Sequence, residues 1–134
     1  MKRRIDSLQR ELTILTTDAF RKHPNIVRLL QYDLIEDGDD LFIPALIIER
    51  AHYGNLTNFL KRNSEDLLEQ DKVDICWDVS SGLFALHQDG VVHGDVKSDN
   101  VLIFKYSPDH GKRYIAKLTD FGSSIIVGKT KNVR

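Results

Sequence analysis

A polar stretch between two apolar runs constrains the fold of this chain more than any other feature. The segment VVHGDVKSDNVLIF, residues 91–104, places His93, Asp95, Lys97 and Asn100 between β-branched and aliphatic residues. A buried strand does not tolerate so many charges, because an unpaired buried charge is costly. The pattern therefore predicts two short strands joined by a loop that holds a carboxylate, an amine and an amide in fixed positions.

The composition is typical of a folded domain. The chain has 134 residues, 41% of them hydrophobic and 29% charged, which suffices for one hydrophobic core and disfavours disorder. With 19 Lys plus Arg against 20 Asp plus Glu, no strong field directs it toward nucleic acid or an anionic membrane, and neither is expected as a partner. No apolar run reaches the roughly 20 residues of a membrane helix. The single cysteine, Cys76, allows no internal disulfide and favours a cytoplasmic location.

The first half of the chain predicts a helix followed by a hairpin. Apolar residues at helical spacing predict an amphipathic helix that ends before His23-Pro24; they are Ile5, Leu8, Leu12 and Leu15. Apolar runs at residues 26–35 and 41–48 flank the sequence EDGDD, which predicts a β-hairpin with an acidic, solvated tip. Pro44 predicts a kink or bulge in the second strand.

The second half alternates helices and extended segments. Asn55 precedes a short helical stretch, LTNFLKR, and a longer helix is predicted from about Glu65 to Gln88, with Gly90 as its C-terminal cap. Extended segments follow at residues 91–93, 101–104 and 114–120, with a turn at SPDHGK and no core-forming pattern after Val127. The expected fold class is therefore α+β.

The residues suited to chemistry lie on two loops. Asp95 and Asn100 share the loop between two predicted strands, and Asp120 directly follows the predicted strand YIAKL. Two carboxylates and an amide oxygen suit Mg²⁺, which prefers oxygen ligands. Lys97 would place positive charge where a transferring phosphoryl group develops negative charge. We expect Asp95, Asn100 and Asp120 to converge on one cleft, with Asn100 and Asp120 sharing the metal.

In combination, the motifs HGDVKSDN (93–100), TDFG (119–122) and HPNIVRLL (23–30) resemble those of the eukaryotic protein kinase family. The resemblance implies a partial, kinase-like bilobal fold. Residues 1–50 would supply a remnant of the N-lobe sheet with helix C, and residues 51–134 the hinge and the upper part of the helical C-lobe. It also implies ATP and Mg²⁺ as cofactors and a protein substrate. The lysine two residues after the loop aspartate resembles the catalytic-loop pattern of serine/threonine kinases.

The resemblance also implies roles for the loop residues. Asp95 matches the catalytic base that orients the substrate hydroxyl, and Lys97 matches the lysine that contacts the phosphate. Asn100 and Asp120 match the Mg²⁺ ligands. Glu11 matches the helix-C glutamate that pairs with a lysine on the third N-lobe strand.

The run LIIERAHYGNL resembles the kinase hinge, and we call residues 49–55 the hinge segment. Ile48 would be the gatekeeper, and the backbone groups of Glu49 and Ala51 would face adenine. Asn55 would lie near the ribose, and Leu102 would form the apolar floor beneath the base.

Some features depart from the family pattern. Gly94 stands where most kinases carry an arginine that pairs with a phosphorylated activation loop. Activity is therefore expected not to depend strongly on activation-loop phosphorylation, and Gly94→Arg is expected to change basal activity little unless a phosphosite is present. Residues 105–113 resemble a hairpin insertion. The 134 residues contain no Gly-rich loop, no strand-3 lysine and no Ala-Pro-Glu motif. This chain alone is therefore expected to be weakly active or inactive and marginally stable, with a partner supplying the absent segments.

Two alternatives remain. His-Gly-Asp followed by Asn100 also resembles the aminoglycoside and choline phosphotransferases, although Lys97 and the segment HPNIVRLL argue against that family. The second alternative is a non-catalytic pseudokinase or scaffold, against which the intact loop residues argue.

Overall fold

The computed structural model describes residues 2–106, 109 and 111–127. Within them, the elements in chain order are α1 (Lys2–Leu15), α2 (Asp18–Arg21), β1 (Leu29–Asp37), β2 (Leu41–Ile48), α3 (Leu56–Asn63), α4 (Glu69–Gln88), β3 (Val91–Val92), β4 (Val101–Lys105), β5 (Tyr114–Leu118) and β6 (Ile125–Ile126). The strands form three antiparallel pairs, β1–β2, β3–β6 and β4–β5. The fold is α+β, as the sequence predicts. Within this part of the chain, none of the helices has the length and apolarity that crossing a bilayer requires.

The first predicted helix is divided into two. α1 ends at Leu15, and Thr17 has an extended backbone, with φ of −66° and ψ of 129°, before α2 begins at Asp18. The hydroxyl of Thr16 donates to the Leu12 carbonyl at 2.8 Å, and that of Thr17 donates to the Thr13 carbonyl at 2.8 Å. Such side-chain bonds compete with the backbone hydrogen bonds of a helix. The consecutive threonines therefore account for the end of α1 at Leu15, earlier than the predicted end before His23.

The predicted hairpin is confirmed, but its irregularity lies elsewhere. The register passes through the Leu34–Pro44 pair without a shift, so the bulge predicted at Pro44 is wrong. The shift falls between Leu29 and Gln31, where Leu30 is the extra residue. Because β2 pairs only with β1 among the described residues, it is an edge strand, and proline is tolerated in edge strands.

Both faces of the β1–β2 hairpin expose apolar side chains. The large ones that are at least half exposed are Leu30, Tyr32, Leu34, Ile35, Phe42 and Ile47. A two-stranded sheet cannot cover them, and its outer edges have no strand partner among the described residues. Apolar, unpaired edges of this kind are templates for association.

The core joins the helices to the β4–β5 pair. Its buried members come from the four helices, from β3, β4 and β5, and from connecting segments: Ile14, Leu15, Phe20, Ile26, Val27, Phe59, Ile75, Leu86, Val91, Val101, Ile103, Ala116, Leu118 and Phe121. The predicted apolar face of the long helix packs here, although α4 begins at Glu69 rather than near Glu65. Gly82 allows α4 to approach β5 and the neighbouring Asn25 closely, since a Cβ there would lie 2.9 Å from Cδ1 of Leu118 and 2.8 Å from the Asn25 carbonyl oxygen.

Residues 25–27 run alongside β5 and fix the start of the hairpin. The side-chain amide of Asn25 donates to the Ala116 carbonyl at 3.0 Å, and the backbone carbonyl of Asn25 accepts from the Leu118 N–H at 2.9 Å. The Val27 N–H donates to the Leu118 carbonyl at 2.9 Å. The motif HPNIVRLL therefore anchors the hairpin to the strand that leads to Asp120.

The predicted turn between β4 and β5 is only partly described. Residues 107, 108 and 110 of SPDHGK lie outside the described residues, as does the region after Val127. β4 and β5 pair from Val101–Leu118 to Lys105–Tyr114, and the Tyr106 N–H donates to the Arg113 carbonyl at 3.1 Å. The antiparallel pairing on both sides agrees with the predicted hairpin.

Candidate active site

His93 joins the loop of residues 93–100 to the segment that follows β5. Its ring is buried, with 1% of the residue exposed. Nδ1 accepts from the Asp95 N–H at 3.1 Å, so Nε2 carries the proton and donates to the Thr119 carbonyl at 2.9 Å. The ring also packs against Phe121, with centroids 5.2 Å apart. His93 thus has a structural role that connects the two predicted functional loops.

Asn100 holds Asp95 directly. Its side-chain amide donates to the Asp95 carbonyl at 2.9 Å and to the carboxylate oxygen Oδ2 at 3.0 Å. The Asn100 carbonyl accepts from the Thr119 N–H at 3.0 Å. Both bonds from Nδ2 point toward Asp95, and no described residue donates to Oδ1. That oxygen is therefore available to an external ligand.

Lys97 lies beside the same carboxylate. Its Nζ is 3.7 Å from Asp95 Oδ2, and the two side chains are 54% and 37% exposed. A pair this open and this distant contributes little to stability because water screens it. Asp95 is therefore fixed mainly by Asn100, while Lys97 adds a partly exposed positive charge beside the same carboxylate.

Asp120 has an unusual backbone conformation. Its φ is +61°, a left-handed value that is uncommon for a residue other than glycine. Such conformations persist where the surroundings fix them, and Thr119 is held on both sides by His93 and Asn100. Asp95, Asn100 and the residue preceding Asp120 thus belong to one hydrogen-bonded unit.

The donors suit a hard cation only in part. Among the described residues, no group of three or more His, Cys, Asp or Glu side chains is arranged to hold a metal ion. Asn100 and Asp120 could supply two oxygens, and Mg²⁺ commonly takes the rest from substrate phosphates and water. These residues fit a cation that arrives with a phosphorylated ligand, not a permanent all-protein site.

Helix α1 packs against the segment containing Asp120. The Arg10 Nη1 donates to the Gly122 carbonyl at 2.7 Å. Burial, and secondarily the negative charge of Asp120, raise the pKa of Glu11, and a hydrogen bond from the Phe121 backbone acts in the opposite direction. No ion pair to Glu11 is formed within the described part of the chain. The structure thus places a poorly compensated carboxylate next to Asp120.

Gly94 is required by space, which the sequence did not reveal. Its φ is +84°, and a Cβ there would lie 2.5 Å from the Ser123 carbonyl oxygen. Any side chain would have to displace backbone, which argues against the prediction that Gly94→Arg changes basal activity little. The change would disturb the contact between the two functional loops.

A pocket of about 680 Å³ lies between the hinge segment and α3. It is lined by Arg50, Ala51, His52, Tyr53, Gly54, Asn58, Arg62, Asn63 and Leu102, which include two of the predicted adenine contacts. β4 holds the end of the hinge segment, because the Tyr53 N–H donates to the Ile103 carbonyl at 3.1 Å and the Ile103 N–H donates to the Gly54 carbonyl at 2.9 Å.

Asn55 has a structural role in addition to the predicted one. Its side-chain oxygen accepts from the Asn58 N–H at 2.9 Å and caps the N-terminus of α3. Among the described residues its amide nitrogen makes no hydrogen bond, so it could face a ribose. Ile48, the predicted gatekeeper, is the last residue of β2 and packs against the core.

Glu49 makes side-chain contacts that the sequence analysis missed. Its Oε1 accepts from Lys117 Nζ at 2.6 Å and from the Arg28 N–H at 2.9 Å. Its own N–H donates to the Arg28 carbonyl at 3.0 Å. The one signal in the sequence is Lys117 itself, a charge inside the otherwise apolar strand YIAKL.

Comparison with known proteins agrees with these motifs. A family model described as the protein kinase domain matches residues 1–134. The chain is 34% identical over 113 residues to the serine/threonine-protein kinase CLA4 of Candida albicans, covering 84% of this chain and 10% of that protein. It is 36% identical over 113 residues to the serine/threonine-protein kinase PkaB of Streptomyces coelicolor, covering 84% and 26%.

A third relative is matched over nearly the whole chain. The serine/threonine-protein kinase cds1 of Schizosaccharomyces pombe is 31% identical over 129 residues, covering 96% of this chain and 25% of that protein. The chain therefore spans about a quarter or less of the length of these relatives.

Proposed function

The chain belongs to the protein kinase family, and on that premise we propose that it binds ATP with Mg²⁺ and directs the γ-phosphoryl group to serine or threonine hydroxyls of a protein substrate. The observation that carries this proposal is the unit formed by Asp95, Asn100 and Thr119. It fixes one carboxylate beside an amide and joins that loop to the residue preceding Asp120, which suits the positioning that phosphoryl transfer needs.

Asp95 is the proposed base that orients the substrate hydroxyl, and Lys97 the proposed contact to the transferring phosphoryl group. The Asn100 bond at 3.0 Å supports the first role, because a base must be held within hydrogen-bond reach of the proton it accepts. The position of Lys97 Nζ, 3.7 Å from Asp95, supports the second, since developing negative charge is stabilised by a nearby cation.

Asn100 and Asp120 are the proposed Mg²⁺ ligands. When bound, the metal would neutralise charge on the phosphates. The free Oδ1 of Asn100 supports the assignment, and so does the fixed backbone of Asp120. The protein's own contribution is to keep two oxygen donors on segments that His93 and Asn100 join.

The base of the nucleotide is proposed to occupy the pocket against the hinge segment. Leu102 lines that pocket, and among the described residues no hydrogen bond uses the Glu49 carbonyl or the Ala51 N–H. Both backbone groups can then bind adenine, and the Asn55 amide can face the ribose. The proposed division into an N-lobe part, residues 1–50, and a hinge with C-lobe part, residues 51–134, places this pocket where the parts meet.

Glu11 is proposed to pair with a lysine outside the described residues, supplied by the rest of the protein or by a partner. Its raised pKa supports this role, because a cation would relieve both its burial and its repulsion by Asp120. A second function, nucleotide binding without turnover, is favoured by the same unpaired carboxylate when no such lysine is present.

A cytoplasmic location remains part of the proposal, as Cys76 is free and exposed.

Kinase assays test the proposal. Asp95→Asn should lower turnover on a protein substrate by about 10²-fold or more, because it removes a general base. Asp99→Asn, in the same loop, should leave most of the activity. Phosphorylation of choline or an aminoglycoside in place of protein would support the small-molecule alternative, and nucleotide binding without turnover would support the scaffold.

A further inference from the structure

We propose that Glu49 and Lys117 form a positioning pair that fixes the hinge segment relative to the pocket wall. The pair would thereby set the affinity for the base of the nucleotide without contacting it. The inference about affinity depends on the proposed nucleotide site, whereas the inference about hinge position depends only on the contacts of the chain itself.

Glu49 connects three parts of the fold at the first residue after β2. Its carboxylate accepts from Lys117 on β5 at 2.6 Å and from the Arg28 N–H at 2.9 Å, and its N–H returns a bond to the Arg28 carbonyl at 3.0 Å. The side chains of Lys117 and Glu49 are only 16% and 21% exposed. Partial burial reduces screening, so this pair holds its geometry better than an exposed one.

Lys117 stands on the same sheet face as the pocket wall. In the β4–β5 register Lys117 is opposite Leu102, and directly opposed residues share a face. Leu102 lines the pocket of about 680 Å³. The Nζ of Lys117 also lies 4.6 Å from the centre of the Phe104 ring, an attraction that keeps the amine against the sheet.

The hinge segment is therefore fixed at both ends. Glu49 attaches its start to β5, and Tyr53 and Gly54 attach its end to β4 through backbone bonds to Ile103. Ala51 lies between the two attachments. The position of its N–H relative to Leu102 depends on both, and removing the ion pair would release one of them.

Amide hydrogen exchange of the unliganded 134-residue chain tests the position of the hinge. Glu49→Gln removes the charge but keeps an acceptor for the Arg28 N–H, and Lys117→Met keeps the aliphatic stem over Phe104. Each should accelerate exchange across residues 49–54 about tenfold, and the double variant should add little. Lys112→Met is the matched control, because it breaks another partly buried ion pair, with Asp78 at 3.1 Å, that includes no residue of the hinge segment.

Binding experiments test the consequence for affinity. ADP affinity should fall about tenfold in Glu49→Gln and Lys117→Met, without a further fall in the double variant, while affinity for Mg²⁺ with tripolyphosphate should not change. Hinge exchange that is unaltered, or altered equally by Lys112→Met, would overturn the proposal. Accelerated exchange in a chain whose wild type does not bind ADP would uphold the positioning pair and reject the proposed nucleotide site.

Discussion

Asn100 donates both of its described side-chain hydrogen bonds to Asp95, at 2.9 Å to the carbonyl and 3.0 Å to the carboxylate. The same residue accepts from Thr119 through its backbone carbonyl. The side chain of Asn100 therefore sets the orientation of the Asp95 carboxylate, and its backbone carbonyl joins this loop to the loop that contains Thr119. This arrangement makes the two loops a single unit, and changes at their contact should be felt in both.

The contact between the loops can be tested at Gly94. Gly94→Ala should destabilise the chain more than Gly111→Ala, although both glycines have positive φ, +84° and +72°. A non-glycine residue in this region costs about 1 kcal/mol. At Gly94 the added Cβ also meets the Ser123 carbonyl oxygen at 2.5 Å, whereas at Gly111 nothing lies within 4 Å. Urea unfolding should show the difference, and equal losses would contradict the steric role.

Acid should weaken the attachment of Arg113 to α4. Hydrogen bonds from Arg113 hold the pKa of Asp71 below its usual range, and Asp71 also accepts from the Leu68 N–H at 2.8 Å. A lowered pKa stabilises the fold above the unfolded pKa of about 3.9, and this contribution is lost as the pH falls through the folded value. Asp71→Asn should therefore be less stable at pH 7. The gap from wild type should close in urea titrations below about pH 4, and a gap independent of pH would contradict the assignment.

Ionisation of Glu11 should affect the stability of the fold in the opposite direction to ionisation of Asp71. Burial and Asp120 raise its pKa, so its ionised form costs stability, and the cost disappears as the pH falls below the unfolded pKa of about 4.3. Glu11→Gln should make the isolated chain more stable at pH 7 but not at pH 3. Asp6→Asn, on the exposed side of α1, is the matched control. A destabilised Glu11→Gln chain would mean that Glu11 already has a cation partner.

The exposed hairpin should make the chain associate. Phe42 and Leu34 are 58% and 59% exposed on strands with open edges. Phe42→Lys and Leu34→Lys should shift the chain toward monomer in sedimentation experiments, because charge on an edge strand opposes pairing. Leu60→Lys on α3, where the side chain is 39% exposed, should have a smaller effect. Self-association unaffected by the hairpin variants would place the interface elsewhere.

Helix α4 has two apolar faces, of which only one is buried. The periodic face around Ile75 and Leu86 is buried, and a second face exposes Val73, Trp77 and Phe84 at 58%, 72% and 64%. The hydrophobic repeat identified the first face because it has helical spacing. The second face also has helical spacing, because Val73, Trp77 and Phe84 lie four and seven residues apart, so only the packing distinguishes it from the core.

Local patterns predicted the elements well where one physical preference dominated. Two apolar runs flanking an acidic turn predicted the hairpin, and the polar loop predicted the grouping of Asp95 with Asn100. The sequence analysis did not predict the break at Thr17. The threonine hydroxyl bond that accompanies the break is a feature of the folded backbone, and the spacing of apolar residues does not reveal it. The Gly94 contact with Ser123 and the Glu49–Lys117 pair join residues distant in sequence, which local spacing cannot bring together.

Calorimetric titration of the chain with ADP, in the presence and absence of Mg²⁺, tests the proposed nucleotide site most directly. Wild type should bind ADP more tightly with Mg²⁺ than without it. Asp120→Asn should remove the Mg²⁺ dependence because it removes a metal ligand. Asp95→Asn should preserve the dependence, since Asp95 is proposed to face the substrate hydroxyl and not the metal. A chain that binds no ADP, or whose Mg²⁺ dependence survives Asp120→Asn, would contradict the assignment of this cleft to Mg²⁺ and nucleotide.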